Sequence, residues 1–515
     1  MASSAVKHIV IVGGGSAGWL AAAVIAAEHG EGGGGLHITL IESPDIAPIG
    51  VGEGTWPTMR DTLRKIGVSE ADFMRECDAS FKQGSRFNGW VDGGADDYYF
   101  HPFVLPQGYG EARLAERWQA RHGDVPFADL VSFQPHLCAR GLAPKQAATP
   151  EYAAVANYGY HLDAGKFGVF LRRHCVDKLG VRYVPDHVTG IASQENGDIA
   201  AVHTREHGAI EGDLFVDCTG MRSLLLGEHY GVPFLSQKHV LFNDSALAIQ
   251  VPYAGEDSAI ASQTTSTAQR CGWIWDIGLP TRRGIGYVYS SAHIGDDDAE
   301  QALRAYVRQT GGPQDCGPAR KLGFNPGYRQ RFWHRNCVAI GLSAGFIEPL
   351  EASALALVEL SASMLSEEMP ATRAAMEIVA RRFNDAFMYR WERVIDFLKL
   401  HYVLSERTDS SFWTDNRRAE SIPPRLSELL TLWRHRPPSR HDFFRIDEVF
   451  PSASYQYILY GMRFRTEARA GGPVDAAAAD GYFREAATLT SKMLAALPDN
   501  RTLLDHIRRH GMPKI

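Results

Sequence analysis

The chain lacks the residue patterns of several function classes. Its 7 cysteines are scattered (Cys77, Cys138, Cys175, Cys218, Cys271, Cys316, Cys337), odd in number and without a C-x-x-C pair. That argues against a disulfide framework and a thiolate zinc site, and for a reducing, cytoplasmic setting. Positive charge is not in excess: 53 Lys and Arg stand against 60 Asp and Glu, a formal net charge of -7. Nucleic-acid binding, which needs a basic face, has nothing to rest on. Long unbroken apolar runs are missing too. Residues 9–27 come nearest, but Gly13, Gly14, Gly15 and Gly18 interrupt them and no cleavage pattern follows. They read as a buried strand and helix, not as a signal peptide or membrane span. Internal repeats and long low-complexity tracts are also missing.

What remains is an ordinary globular composition, 45% hydrophobic and 22% charged over 515 residues. A core of that size needs no staples. HIVIVGGGSAGWLAAAVIAAEHG reads as strand, glycine turn and helix; LHITLIES adds a second strand ending near Glu42. Together they form a βαβ unit. Residues 150–225 mix the helix DAGKFGVFLRRHCVDKLG with short strands and close on DLFVDCTGMRS, a buried strand entering a glycine turn. Residues 240–295 alternate as antiparallel strands do. From about 355 the pattern is mainly helical, and AAAAD near 476 is a short linker or a helix start.

Gly13, Gly15 and Gly18 fit G-x-G-x-x-G between a strand and a helix. The first glycine permits the tight turn, the second lets the backbone approach a pyrophosphate, and the third lets helix and strand pack closely. Ser16 and Ala17 lie inside the motif, at a helix start whose N–H groups face phosphate charge. Glu42, ending the second strand, is placed to accept ribose hydroxyls. Two further glycine loops follow, IGVGEGTWP (49–57) and GLSAGFIEPLEAS (341–353). So many loops at one sheet suit the long FAD molecule better than a nicotinamide cofactor.

These blocks, taken in order, resemble the flavin-dependent tryptophan halogenase family. GGGSAGW resembles its FAD fingerprint, GVGEGTWP its flavin loop, and ECDASFKQGSRFNGW the block with its catalytic lysine, here Lys82. YYFHPF resembles the block that sets His101 and Phe103 around the substrate ring. YHLDAGKF and DLFVDCTGMRSLL resemble further FAD-domain blocks. GWIWDIG resembles the W-x-W-x-I-P signature, with Trp273 and Trp275 standing between flavin and substrate; GYVYSS resembles the strand after it. GFIEPLEASAL resembles the halide and catalytic glutamate segment, which puts that role on Glu351, with Glu348 the competing residue. The chain departs from the pattern at Gly278 for the signature proline, at Ala352, Ser353 and Ala354 beside the glutamate, and at Tyr455 for a tryptophan near the C-terminus.

The resemblance implies a Rossmann-like FAD-binding domain of the flavin monooxygenase type with mixed sheets over 1–365. A mainly helical, substrate-shaping region would occupy 366–515. It implies FAD, used as FADH2, held by Gly13, Gly15, Ser16, Ala17, Gly18, Glu42, Gly50, Val51, Gly52, Glu53, Gly341 and Ile347. A chloride or bromide ion would lie near Thr55, beside Gly54, and the backbone N–H groups of Ser353 and Ala354. Hypohalous acid made at the flavin would reach Lys82, which fixes it above one ring carbon. Glu351 would polarise it or take the ring proton. The substrate is then an indole or another electron-rich aromatic, bounded by His101, Phe103, Trp273, Trp275 and Tyr455. The partner is a separate NAD(P)H-dependent flavin reductase, with no nucleic acid and no membrane, and a homodimer is an allowed assembly. An aromatic hydroxylase and a non-catalytic flavin-binding scaffold are the competing readings. Lys82 and the two tryptophans argue against the hydroxylase.

Overall fold

The computed structural model describes residues 5–30, 35–45, 52–443, 445, 448–467 and 476–514. Contacts group the chain into two units, each assembled from three segments. The first comprises Met1–Ala79, Leu162–Gln237 and Asn325–Trp391; the second Ser80–His161, Lys238–Phe324 and Glu392–Ile515. The sequence suggested one linear division at 365. These units are discontinuous in sequence because the two largest sheets draw their strands from distant segments.

The first unit is built on a six-stranded sheet. Its order is Trp333–His334, Cys337–Ala339, Leu214–Asp217, His8–Val12, His37–Glu42, Arg182–Pro185. All neighbours are parallel except the first pair. Strands covered on both faces read as continuous apolar runs, which is why HIVIV and LFVD look as they do. The helix Gly15–His29 is buried from Gly18 to Ala26. It is apolar all round because it too is enclosed, with the helix Ala164–Leu179 against it. That second helix starts at Asp163, whose side chain accepts from Lys166 N, and ends at the left-handed Gly180.

The second unit holds a seven-stranded sheet in the order Arg320–Gly323, Ser245–Pro252, Arg282–Tyr289, Gly272–Gly278, Thr264–Gln269, Gly84–Asn88, Tyr98–Pro102. The antiparallel strands expected between 240 and 295 are present as Ser245–Pro252, Thr264–Gln269, Gly272–Gly278 and Arg282–Tyr289. Ile274, Ile285 and Tyr287 meet Leu303 and Val307 of the helix Asp296–Gln309 in one core. Alternation along the strand sends Trp273 and Trp275 to the other face. There Trp273 meets Trp90, which also touches Tyr402 and Trp413.

The α/β arrangement with mixed sheets and a helical C-terminal region is as the sequence indicated. The late helices are Ser353–Glu367, Arg373–Val403, Ser411–Asp415, Pro424–Trp433, Ser452–Gly461, Ala476–Ala496 and Asn500–His510. AAAAD is a helix start. Among the described residues, no helix is long and apolar enough to cross a membrane.

Candidate active site

In the first unit the glycines are required by close approaches. A Cβ on Gly13 would lie 2.2 Å from Cys218 O, and one on Gly18 1.9 Å from Gly13 O. Gly15, at φ +71, faces open space. That pattern closes the turn, packs helix on strand and leaves a cradle for phosphate. The helix Gly15–His29 has no side-chain N-cap, so its start can serve an anion. Gly15 N donates to Glu42 Oε1 at 3.3 Å, while buried Glu42 Oε2 has no hydrogen-bond partner. That oxygen has only a long ion pair, to Arg172 Nη1 at 3.7 Å, and a ribose hydroxyl at the end of the second strand would supply the hydrogen bond it lacks, so the residues fit an FAD. Ser16 Oγ donates to Ala164 O at 3.4 Å. A Cβ on Gly341, at φ +78, would lie 2.7 Å from Ala17 Cβ, so the 341 loop rests on the helix start. Ile347 is buried nearby in sequence. Gly52 and Glu53 are half-buried, and desolvation pushes the Glu53 carboxyl to about 7. Gly50 and Val51 lie outside the described residues.

The same unit carries the turn of PLEAS. Glu351 (φ 66) and Ala352 (φ 56) are consecutive left-handed residues, a conformation costing roughly 1–2 kcal/mol each for residues with a Cβ. The helix Ser353–Glu367 then begins without a side-chain cap, so its first N–H groups, those of Ser353 and Ala354, are suited to an anion. Trp56 Nε1 donates to Glu351 O at 2.7 Å, tying the segment after Glu53 to this turn. Thr55 is fully buried, and its hydroxyl donates to Trp56 O at 3.2 Å.

The second unit holds Lys82, 1% exposed, at the end of the strand Ser80–Lys82. Phe103 presents its ring 5.4 Å from Lys82 Nζ, near enough for cation–π attraction. His101 is buried, with Nε2 2.9 Å from Ser454 Oγ and its ring among Phe397 and Tyr457. The strand carrying His101 ends at Pro102, so Phe103 lies beyond it. Trp273 is fully buried; Trp275 is half-buried, with Nε1 lacking a partner. A Cβ on Gly286 would come within 2.1 Å of the Trp275 ring, so the glycine makes room for it. Tyr455 is enclosed by Phe397, Phe443 and Trp433, and burial pushes its hydroxyl strongly up.

A tryptophan halogenase family model matches residues 8–478. The chain belongs to the tryptophan halogenase family. A 7-chloro-L-tryptophan 6-halogenase of Kutzneria sp. (strain 744) is 33% identical over 498 residues, 92% of this chain and 95% of that one. A solved tryptophan halogenase from Shewanella frigidimarina NCIMB 400 is 50% identical, with a TM-score of 0.95 over 99% of both chains. A flavin-dependent halogenase from Brevundimonas sp. BAL3 is 33% identical, with a TM-score of 0.85 over 97% of this chain and 99% of that one. As a family member the chain is a flavin-dependent halogenase that uses FAD and halide on a small aromatic substrate.

In this member of the family the residues singled out in the sequence sort by unit. Every described flavin and halide residue, and Glu351, belongs to the first unit; Lys82 and every ring residue belong to the second. Several contributors escaped the sequence reading. Gly14 is one: a Cβ there would sit 1.9 Å from Glu42 Oε1. The third consecutive glycine was its signal. Asp217 is another, fully buried and accepting from Thr219 N, Leu225 N and Leu226 N, so that it shapes the loop after its strand. A carboxylate closing an apolar strand was the available sign. His161 gave none.

Proposed function

We propose that the enzyme replaces one ring hydrogen of an indole, or of an electron-rich aromatic of similar size, with chlorine or bromine. The observation that carries this reading is Lys82, an ammonium with 1% exposure on a strand end beside the Phe103 ring. Burying a charge costs several kcal/mol before compensation, so such a lysine is not kept for solubility; Lys145 and Lys399 are as deeply buried, and Lys82 differs from them in lying in the block that resembles the family's catalytic-lysine segment.

Bound FADH2 supplies the two electrons that take one oxygen atom of O2 to water and leave the other in hypohalous acid. Ser353 and Ala354 N–H, with Thr55, hold the halide before it is oxidised. Lys82 donates to the hypohalous acid, or becomes its haloamine, and fixes the electrophile over one carbon. Glu351 polarises that electrophile or accepts the proton lost as the ring regains aromaticity. In sum, Ar–H, X⁻, O2, FADH2 and H⁺ give Ar–X, FAD and two waters. Phe103, His101, Trp273, Trp275 and Tyr455 define the ring side. The FADH2 comes from a separate NAD(P)H-dependent reductase, since the sequence carries one dinucleotide fingerprint.

Several relatives are named for tryptophan, which makes tryptophan the first ring to test here. A screen of tryptophan, free indole and larger indoles, each with chloride and bromide, reads the product by mass. The proposal expects halogen in place of hydrogen on at least one ring. Oxygen insertion without halogen would assign the hydroxylase chemistry instead.

A further inference from the structure

The strand Gly159–Leu162 runs antiparallel to the Lys82 strand, with Ser80 opposite His161 and Lys82 opposite Gly159. Opposed residues project to the same face, as do residues two apart. Ser80, Lys82 and His161 therefore share one face, and Gly159 puts no side chain opposite Lys82. His161 is fully buried. Its Nε2 lies 2.8 Å from Thr264 Oγ1, whereas its Nδ1 is buried without a hydrogen-bond partner. Burial pushes the imidazole well below its ordinary value, and the Lys82 charge adds to this, so the ring is neutral. Ser80, its cross-strand partner, and Thr264 carry no charge.

A neutral imidazole has one N–H and one lone pair. If Nε2–H donates to Thr264, Nδ1 is a bare acceptor, the arrangement that a neighbouring ammonium favours. The reverse tautomer would leave a buried N–H on a ring already subject to positive charge. Buried polar atoms in native folds almost always have a use, and this one shares a face with the lysine on which the proposed reaction turns.

We propose that His161 is a positioning residue for Lys82: its Nδ1 lone pair receives a hydrogen bond from the Lys82 ammonium, directly or through one water, and so aims that ammonium at the electrophile. The inference rests on the role assigned to Lys82 and adds the residue that orients it. Thr264 holds the ring in the required tautomer. Gly159 keeps the space open, so a side chain there would intervene between the two.

The test compares His161→Phe, His161→Asn and His161→Gln with Lys82→Ala. Each is assayed as the full chain with FADH2, oxygen, halide and an accepted indole, and a soluble scavenger traps escaping hypohalous acid. Phe keeps the ring and removes both nitrogens. It should retain FAD binding and halide-dependent oxygen use, lose roughly ten-fold or more in turnover, and release more oxidant to the scavenger. KM for the indole should move much less than kcat. Asn places an amide oxygen near the Nδ1 position and should recover turnover; Gln reaches the Nε2 position, restores the Thr264 contact and should not. Parent turnover in the Phe variant with Lys82→Ala inactive would overturn the inference while sparing Lys82. Recovery by Gln rather than Asn would overturn it too, leaving His161 as a strut to Thr264. If the Phe variant fails to bind FAD, the Asn and Gln pair alone decides. Parent turnover in Lys82→Ala would remove the reading beneath it.

Discussion

Glu359 shows how a single buried group ties stability to pH. It is 3% exposed on the helix Ser353–Glu367 and accepts from Thr62 at 2.7 Å and Thr58 at 3.4 Å. Burial outweighs those bonds and pushes its carboxyl to about 8. Its value in the unfolded chain is about 4.3, so folding favours the protonated form. Its stabilising contribution is complete below about pH 4 and is lost as pH rises through about 8. Glu359→Gln keeps the volume and stays neutral. Its melting temperature relative to the parent should therefore climb between pH 5 and 8.5, by an amount corresponding to roughly a few kcal/mol. A difference that stays flat with pH would show that Glu359 does not titrate in this window. At this scale Lys82 was legible because a whole block of sequence surrounds it. Glu359 was not: a lone glutamate in a helix looks like any other until its neighbours across the fold are known; His161 lies in the YHLDAGKF block, but that resemblance marked the FAD domain and not the histidine.

At the scale of elements, Gly278 links two strands that sequence places far apart. Its carbonyl accepts from Ser80 Oγ at 2.5 Å, two residues before Lys82. A Cβ there would lie 2.9 Å from Ile260 Cγ2 and 3.1 Å from the Tyr253 hydroxyl. The family signature has proline where this chain has glycine, and this environment has closed around the smaller residue. Gly278→Pro should cost roughly 1–3 kcal/mol and lower the melting temperature by several degrees, with halogenation falling as the Lys82 strand loses its anchor. Unchanged melting and activity would show that the strand end only needs an extended backbone. The βαβ fingerprint, the antiparallel run and the late helices were readable because periodicity and glycine spacing are local. The left-handed pair Glu351–Ala352 was not, since neither residue type signals positive φ.

For the whole molecule, the sorting of residues is the organising fact. The flavin cradle, the uncapped helix start and Glu351 belong to one unit; Lys82, Phe103 and the tryptophan pair belong to the other. That partition was hidden in the sequence because each unit returns to the chain three times. The proposed chemistry accordingly has two stages: oxidant production by the flavin and halide residues of the first unit, and aim by Lys82 of the second, with Glu351 the one first-unit residue that acts in the later stage. The most direct test is Lys82→Ala with FADH2, halide, an accepted indole and a hypohalous-acid scavenger present together. The account predicts that oxygen consumption and scavenger halogenation persist while ring halogenation disappears. Ring halogenation at the parent rate, or loss of oxidant production with FAD still bound, would contradict it.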